Sequence, residues 1–267
     1  MRYLPFCLLV ACKPPAEAPE ELDELVGFLF EHFEDEDPAE LEAGVANLDT
    51  WLIDGMDETR EGYSVDNVTQ EAIDGLENVH AQIDGNLAGA AVGYPSVHSP
   101  QELIETTITT PSTELYPDSY TAFEREYLTD PDCFIDGTCD RLDTTIDNDI
   151  DYTLLQVEVM SQVQYRRVAF ERGDVIIERT WLIREPVISV DWLELDAQLF
   201  FWALVPDEDG NARSLQATWF VYTFVDTDID QDLAVGLVID SMAGAAEDLD
   251  QWILDEEAGL HEEDNTR

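Results

Sequence analysis

Apolar positions along this chain change their period once, and the change divides it. From Glu20 onward Leu22, Leu25, Val26, Leu29, Phe30 and Phe33 recur at the 3.6-residue spacing of an amphipathic helix. Asp37-Pro38 starts a second helix, with Leu41, Val45, Leu48 and Leu52 on one face. Together they predict an αα-hairpin, continued by Val68 to Val79, with Phe28, Phe30 and Phe33 in its core. Ser99-Pro100-Gln101-Glu102 is a capping box with proline at the first helical position, so a helix starts there. Ser119 to Leu128 reads as a further helical piece, and Thr129 to Asp151 as a loop crowded with aspartates. Beyond it the period is two. Thr153, Leu155, Val157, Val159, Val163 and Tyr165 predict a half-buried strand. Gly173-Asp174 is a hairpin turn into Val175 to Arg184, Pro186 ends that run, and Val187 to Val205 gives one long strand or two with a bend. Asp207 to Asn211 is a second turn, leading to Arg213 to Val225. A helix from about Asp228 to Leu254 closes the fold, its apolar face formed by Val235, Val238, Ile239, Met242, Ala246, Leu249 and Ile253. The small residues Ala243 to Ala246 would let it lie close to a sheet.

Helices, then antiparallel strands, then one long helix define an α+β class: N-terminal helices, a curved antiparallel sheet and a C-terminal helix packed on it. The division expected is a helical region over 20–80, an α+β domain over 81–255 and an acidic tail over 256–267. From about Ala81 to Leu254, with the short, glycine-rich Ala88-Gly89-Ala90-Ala91-Val92 as first strand, this order is similar to the helix-grip fold of the START-like superfamily. That resemblance implies a sheet wrapped around the last helix, enclosing an apolar cavity.

The first residues carry a different signal. Arg2 precedes a short apolar run, Leu4 to Ala11, too short to span a bilayer and too apolar for a solvated terminus. Leu9-Val10-Ala11-Cys12 resembles the lipobox of bacterial lipoproteins. The resemblance implies a signal peptide over 1–11, acyl chains on Cys12 as the membrane contact, and a place in the cell envelope, on its periplasmic or outer-membrane face. Lys13 to Pro19 (KPPAEAP) would then be a stiff tether. Of the remaining cysteines Cys7 leaves with the signal, so an exported body retains an even pair, Cys133 and Cys139. One disulfide is the preferred reading, with Gly137 allowing the tight turn; two free thiols are the alternative.

Charge narrows the partners. The chain has 61 acidic residues against 12 basic ones, a formal net charge of −49, and its one lysine is Lys13. So negative a surface repels phosphate backbones, which excludes nucleic acid as a partner. Because the acidity is spread along the chain, adaptation to a salty medium is preferred to a cation-binding surface.

Chemistry-bearing motifs are scarce. Asp147, Asp149, Asp151 and Glu158 have the spacing of a calcium loop, but Tyr152 stands where the sharp turn needs glycine. A looser Ca2+ site could use Asp132, Asp136 and Asp140 around the disulfide; a solvated acidic loop is the plainer reading. The histidines, His32, His80, His98 and His261, form no helical pair, and no G-x-S-x-G elbow, phosphate-binding glycine loop or H-E-x-x-H occurs. Arg179 falls in phase with Val175, Ile177, Trp181 and Ile183 and so points inward, where it needs a carboxylate or an anionic ligand. Cross-strand pairing with Glu158, Glu171 or Glu178 would satisfy it. Aromatic residues on both faces of the strands indicate that both faces are covered. Tyr165, Arg179, Trp181, Trp219 and Tyr222 are the candidate ligand-lining residues. These features favour a non-enzymatic envelope protein holding a small apolar ligand between sheet and C-terminal helix, with no cofactor required. The alternative is a structural or interaction module with a packed core that meets an envelope protein.

Overall fold

The computed structural model describes residues 17–81, 87–152, 155–225 and 231–260. Two helices, α1 (Leu22–Glu31) and α2 (Ala39–Gly55), form the expected hairpin and bury Leu22, Leu25, Leu29, Phe30, Leu41, Val45 and Leu48. The short strand β1 (Tyr63–Ser64) and helix α3 (Gln70–Asp74) follow, so only part of Val68 to Val79 is helical. The first long strand, β2 (Ala88–Pro95), is the glycine-rich segment. Helix α4 (Pro100–Thr109) carries the capping box in full: Ser99 Oγ accepts from the Glu102 backbone N–H, and the Ser99 N–H donates to the Glu102 carboxylate. Helix α5 (Ser112–Leu115) leads into β3 (Tyr120–Tyr127), and α6 (Pro131–Ile135) separates it from β4 (Arg141–Tyr152). Then come β5 (Leu155–Val168), β6 (Val175–Leu182), β7 (Val187–Ile188), β8 (Leu193–Pro206), β9 (Ala212–Phe224) and the long helix α7 (Gln231–Glu257).

Two of the sequence expectations are corrected. Ser119 to Leu128 holds strand β3, because Tyr120, Phe123 and Tyr127 favour a pleated edge and the segment pairs with β4 from Tyr120↔Ile150 to Tyr127↔Thr144. The aspartate-rich stretch Thr129 to Asp151 is a loop only at its start. In β4, Leu142, Thr144 and Ile146 are buried while Asp143, Thr145 and Asp147 alternate with them towards solvent. Asp149 faces Glu158 across the β4–β5 pair, so the calcium-loop spacing belongs to a hairpin.

All neighbours in the sheet are antiparallel, in the order β1-β2-β9-β8-β6-β5-β4-β3, with β7 beside β5. Alternation gives the long strands two different faces. The outer face bears Val175, Ile177, Trp181, Leu199, Phe201, Leu215, Ala217 and Trp219, packed against α1 and α2 in one core. Two indole N–H groups fasten the cover, Trp181 to the Glu77 carbonyl at 2.9 Å and Trp219 to the Asp66 carbonyl at 2.8 Å. The inner face is covered by α4 and α7. Ile239 and Met242 meet Ala90 and Val92, while Leu249 and Ile253 share a core with Leu103, Ile104, Tyr165, Trp202 and Leu204. The α+β arrangement of a curved antiparallel sheet gripping its last helix is therefore present. Of the small residues Ala243 to Ala246 in α7, only Ala246 is buried. Ala243, Gly244 and Ala245 remain partly exposed, and a β-carbon on Gly244 would meet nothing within 4 Å. They do not draw the helix onto the sheet.

Candidate functional site

One row of the inner face carries a charge. Register places Leu142, Tyr165, Glu178, Trp202, Gln216 and Val92 side by side across β4, β5, β6, β8, β9 and β2. Glu178 is thus central in the sheet and only 9% exposed. The adjacent row contributes Thr144, Val163, Thr180, Phe200 and Thr218. Thr180 Oγ1 donates to Glu178 Oε1 at 2.8 Å, the Trp202 indole donates to Ser214 Oγ at 2.6 Å, and the Gln216 amide donates to the Tyr94 hydroxyl at 2.7 Å. Side chains from outside the sheet complete the surroundings. Tyr116 follows α5 and lies 5.7 Å, ring to ring, from Tyr120 at the start of β3.

Burial governs the electrostatics here. Desolvation pushes the Glu178 carboxyl up from 4.5 to about 7, against the opposing pull of the Thr180 and Tyr165 hydroxyls and the Arg125 charge. Burial likewise holds the Tyr94, Tyr116, Tyr120 and Tyr165 phenols above their ordinary range, and the Glu178 charge adds to this at Tyr116, Tyr120 and Tyr165. All four are neutral hydrogen-bonding groups at physiological pH. No guanidinium lies within ion-pair distance of Glu178 among the described residues. Arg125 instead gives Nη1 to the Thr107 and Ile108 carbonyls at the end of α4, where a cation suits the helix dipole.

The two faces differ in how completely they are filled. On the outer face Leu199, Phe201, Ala203, Val205, Leu215, Ala217 and Trp219 have no exposure. On the inner face, beneath helices, Tyr94, Tyr116, Thr180, Phe200 and Tyr222 each keep partial exposure. The row that holds Glu178 is itself buried, and partial exposure begins in the row beside it, at Thr180 and Phe200.

The five ligand-lining candidates do not line one space. Tyr165 and Tyr222 belong to the inner face, Tyr222 stacking on Phe220 at 5.0 Å. Arg179, Trp181 and Trp219 belong to the outer face, beneath the N-terminal helices. Arg179 does point inward, and its answer is structural: Nη2 pairs with Glu34 at 2.9 Å, Nε donates to Gln164 at 2.8 Å, and its guanidinium lies over the Phe33 ring at 4.6 Å. Burial lowers its pKa to about 10, partly offset by Glu34. The pairing partner is thus Glu34 from the helical region, and not a cross-strand carboxylate.

Cys133 and Cys139 are joined in a disulfide, with α-carbons 5.4 Å apart. Asp132, Asp136 and Asp140 beside it are not drawn together. Among the described residues one group of three side chains converges as metal ligands would, His32, Asp35 and Glu40, with His32 Nδ1 at 2.6 Å from Asp35 and 3.0 Å from Glu40. An imidazole lying between two carboxylates accounts for that contact. An open cleft of about 480 Å3, lined by Glu42, Asp49, Phe170 and Glu171 among others, lies over the outer face. Its central carboxylate, Asp49, is already paired with Arg172 and Arg213. Cys12 and its tether as far as Ala16 lie outside the described residues.

Glu178 was within reach of the sequence. A strand expected to be covered on both faces, VIIERTWL, carries a charge on each, so burying Arg179 buries Glu178 as well.

No family model matches the chain, and no curated protein matches it significantly. Several solved structures overlay on it in part. The STAR-related lipid transfer protein from Xanthomonas axonopodis is 14% identical, with a TM-score of 0.43, over 72% of this chain and 97% of its own. A START superfamily protein from Mycobacterium smegmatis is 11% identical, with a TM-score of 0.41, over 64% of this chain and 99% of its own. The ZhuI aromatase/cyclase from Streptomyces sp. R1128 is 10% identical, with a TM-score of 0.39, over 64% and 95%. Likenesses of this size lend no function to the chain.

Proposed function

We propose that this chain is a non-enzymatic binding protein that holds a small, largely apolar ligand between the inner face of its sheet and helix α7. The observation that carries the reading is that Phe200, Tyr94 and Tyr116 stay partly exposed beneath their helices, whereas Leu199, Phe201, Leu215 and Trp219 on the outer face have no exposure. Aromatic walls with a few convergent polar groups, here Glu178, Thr180 and the phenols, are the usual composition of a small-molecule site. Enzymatic acid–base work would need a second group of matched pKa near Glu178. The surrounding phenols are held far above neutrality and do not supply one.

The same proposal places the protein at the cell envelope, exported and held by acyl chains on Cys12. A body of net charge −49 gains nothing from an anionic membrane, so the chains would supply the attachment. Native mass spectrometry and displacement of an environment-sensitive dye test the first part. A dye that is quenched by water and brightens with the protein, and that loses its signal on Phe200→Glu, is the expected outcome. Absence of any bound species and of any dye signal would overturn it. For the second part, the full-length chain expressed in a bacterium should fractionate with membranes and carry the mass of acyl chains. Cys12→Ser should release it, and a wild-type chain with an unmodified Cys12 would end the anchoring proposal.

A further inference from the structure

We infer that the ligand seated on the inner face is an organic cation, an amine whose ammonium group meets Glu178. This rests on the binding reading above and names the ligand's chemistry. Glu178 is nine-tenths buried, stands in the middle of the sheet, and has no cationic partner within ion-pair distance among the described residues. The carboxyl's hydrogen-bond partners are neutral, Thr180 at Oε1 and the Tyr165 hydroxyl, while the one nearby guanidinium, that of Arg125, gives Nη1 to the carbonyls ending α4. A buried carboxyl without a counter-ion stays neutral or acquires a cation. The groups around it suit the second course. Tyr165 is its direct cross-strand neighbour and Trp202 its neighbour on the other side, while Tyr116 and Tyr120 approach from the α5–β3 corner. Ring faces attract ammonium groups.

Further charges facing this space are acidic. Asp248 of α7 acts on Tyr116, and Asp250 of α7 acts on Tyr94 while its carboxylate accepts from Ser96 Oγ at 2.6 Å. The field of the whole chain has the same sign. Every arginine among the described residues is bonded to a carboxylate or a backbone carbonyl, from Arg60 with Asp57 to Arg213 with Asp49. Among the described residues the guanidinium nearest Glu178, that of Arg125, gives Nη1 to two carbonyls, and its Nε is buried without a partner. An anionic amphiphile would meet a net charge of −49 outside and a carboxyl inside.

Two matched series separate the outcomes: 1-naphthylmethylamine, 1-naphthalenemethanol and 1-naphthoate, then decylamine, decanol and decanoate. Titrations are run at pH 8 and 0.5 M NaCl, so that the acidic surface is screened. The amine of at least one series should bind roughly 10–100-fold more tightly than its alcohol, the worth of one charge-assisted hydrogen bond, and the carboxylate more weakly still. Glu178→Gln should remove that preference while the alcohol's affinity is kept; Asp209→Asn, on an exposed turn, should leave the preference intact. The preference should also shrink at pH 5.5, where Glu178 is protonated. Equal binding of amine and alcohol, or an amine preference that survives Glu178→Gln, would overturn the cation inference and leave the binding reading standing. Failure of all six compounds to bind would remove both.

Discussion

Two buried carboxylates show how differently one residue type can be used. Asp49, with its side chain 8% exposed, accepts from both Arg172 and Arg213 and ties α2 to the ends of β9 and the β5–β6 turn. Asp49→Ala would leave two half-buried guanidinium groups without a partner. Loss of about 2–3 kcal/mol is expected, below the full cost of breaking a buried pair because both arginines keep some contact with water. Urea unfolding of wild type and variant measures it. Glu178 has no such partner, and its burial makes stability depend on pH. In the unfolded chain it loses its proton near 4.5, in the folded one near 7. Between these values only the folded state keeps the proton, so its contribution to stability falls as pH rises and bottoms out above 7. The loss is about 3 kcal/mol at most for a shift of this size. Glu178→Gln should therefore match wild type near pH 4 and exceed it by a few kcal/mol near pH 8. A variant less stable than wild type at pH 8 would show that the carboxylate is paired in the free protein.

At the scale of elements, glycine and cysteine explain features that composition alone makes look weak. Strand β2 is a poor strand by propensity, yet Gly89 is required by its neighbours: a β-carbon there would come within 2.6 Å of the Val65 carbonyl oxygen and 2.7 Å of the Trp219 ring. Gly89→Ala should cost roughly 1–3 kcal/mol by overpacking, read from thermal unfolding, since neither backbone nor a fully buried indole can give way easily. The Cys133–Cys139 bond closes a short loop beside α6, and removing it by Cys133→Ser with Cys139→Ser should cost about 2 kcal/mol on the chain-entropy account. Helices α1, α2 and α7 were legible because their apolar stripes are dense and their partners are large surfaces. Strand β3 was not, because the segment TAFEREYL has the spacing of either a short helix or an edge strand, and only pairing with β4 decides between them. Strand β4 was hidden by its aspartates. Leu142, Thr144 and Ile146 alternate as a strand should, but in a chain this acidic the outward positions are filled by aspartate and resemble a loop. The site itself was legible only by half. Tyr165 and Tyr222 lie on the right face, whereas Arg179, Trp181 and Trp219 share a phase with the apolar residues of the outer face. Phase tells which residues share a face, not which cover that face receives.

For the whole molecule, the excess of acidic groups sets how stability answers to salt. The arginines among the described residues are bonded into helix ends, strand edges and the seam between α1–α2 and the sheet, so most surface carboxylates face one another across water. Compaction brings these like charges together, and the folded state therefore carries more repulsion than the extended chain. Added salt screens that repulsion over distances beyond a Debye length, about 10 Å at 0.1 M and 3 Å at 1 M. Direct arginine pairs such as Arg172–Asp49 are shorter than this and partly buried, so they lose much less. The unfolding midpoint should rise with NaCl, steeply below about 0.3 M and little beyond 1 M. Plain screening requires that LiCl, NaCl and KCl give one curve at equal ionic strength. A gain that continues into the molar range and ranks the cations would mean that carboxylate clusters hold hydrated ions specifically. A midpoint that falls with salt would mean that the arginine pairs outweigh the repulsion. Scanning calorimetry of the body without residues 1–16, across the three salts, distinguishes the cases and shows whether the acidity is what stabilises the fold in brine.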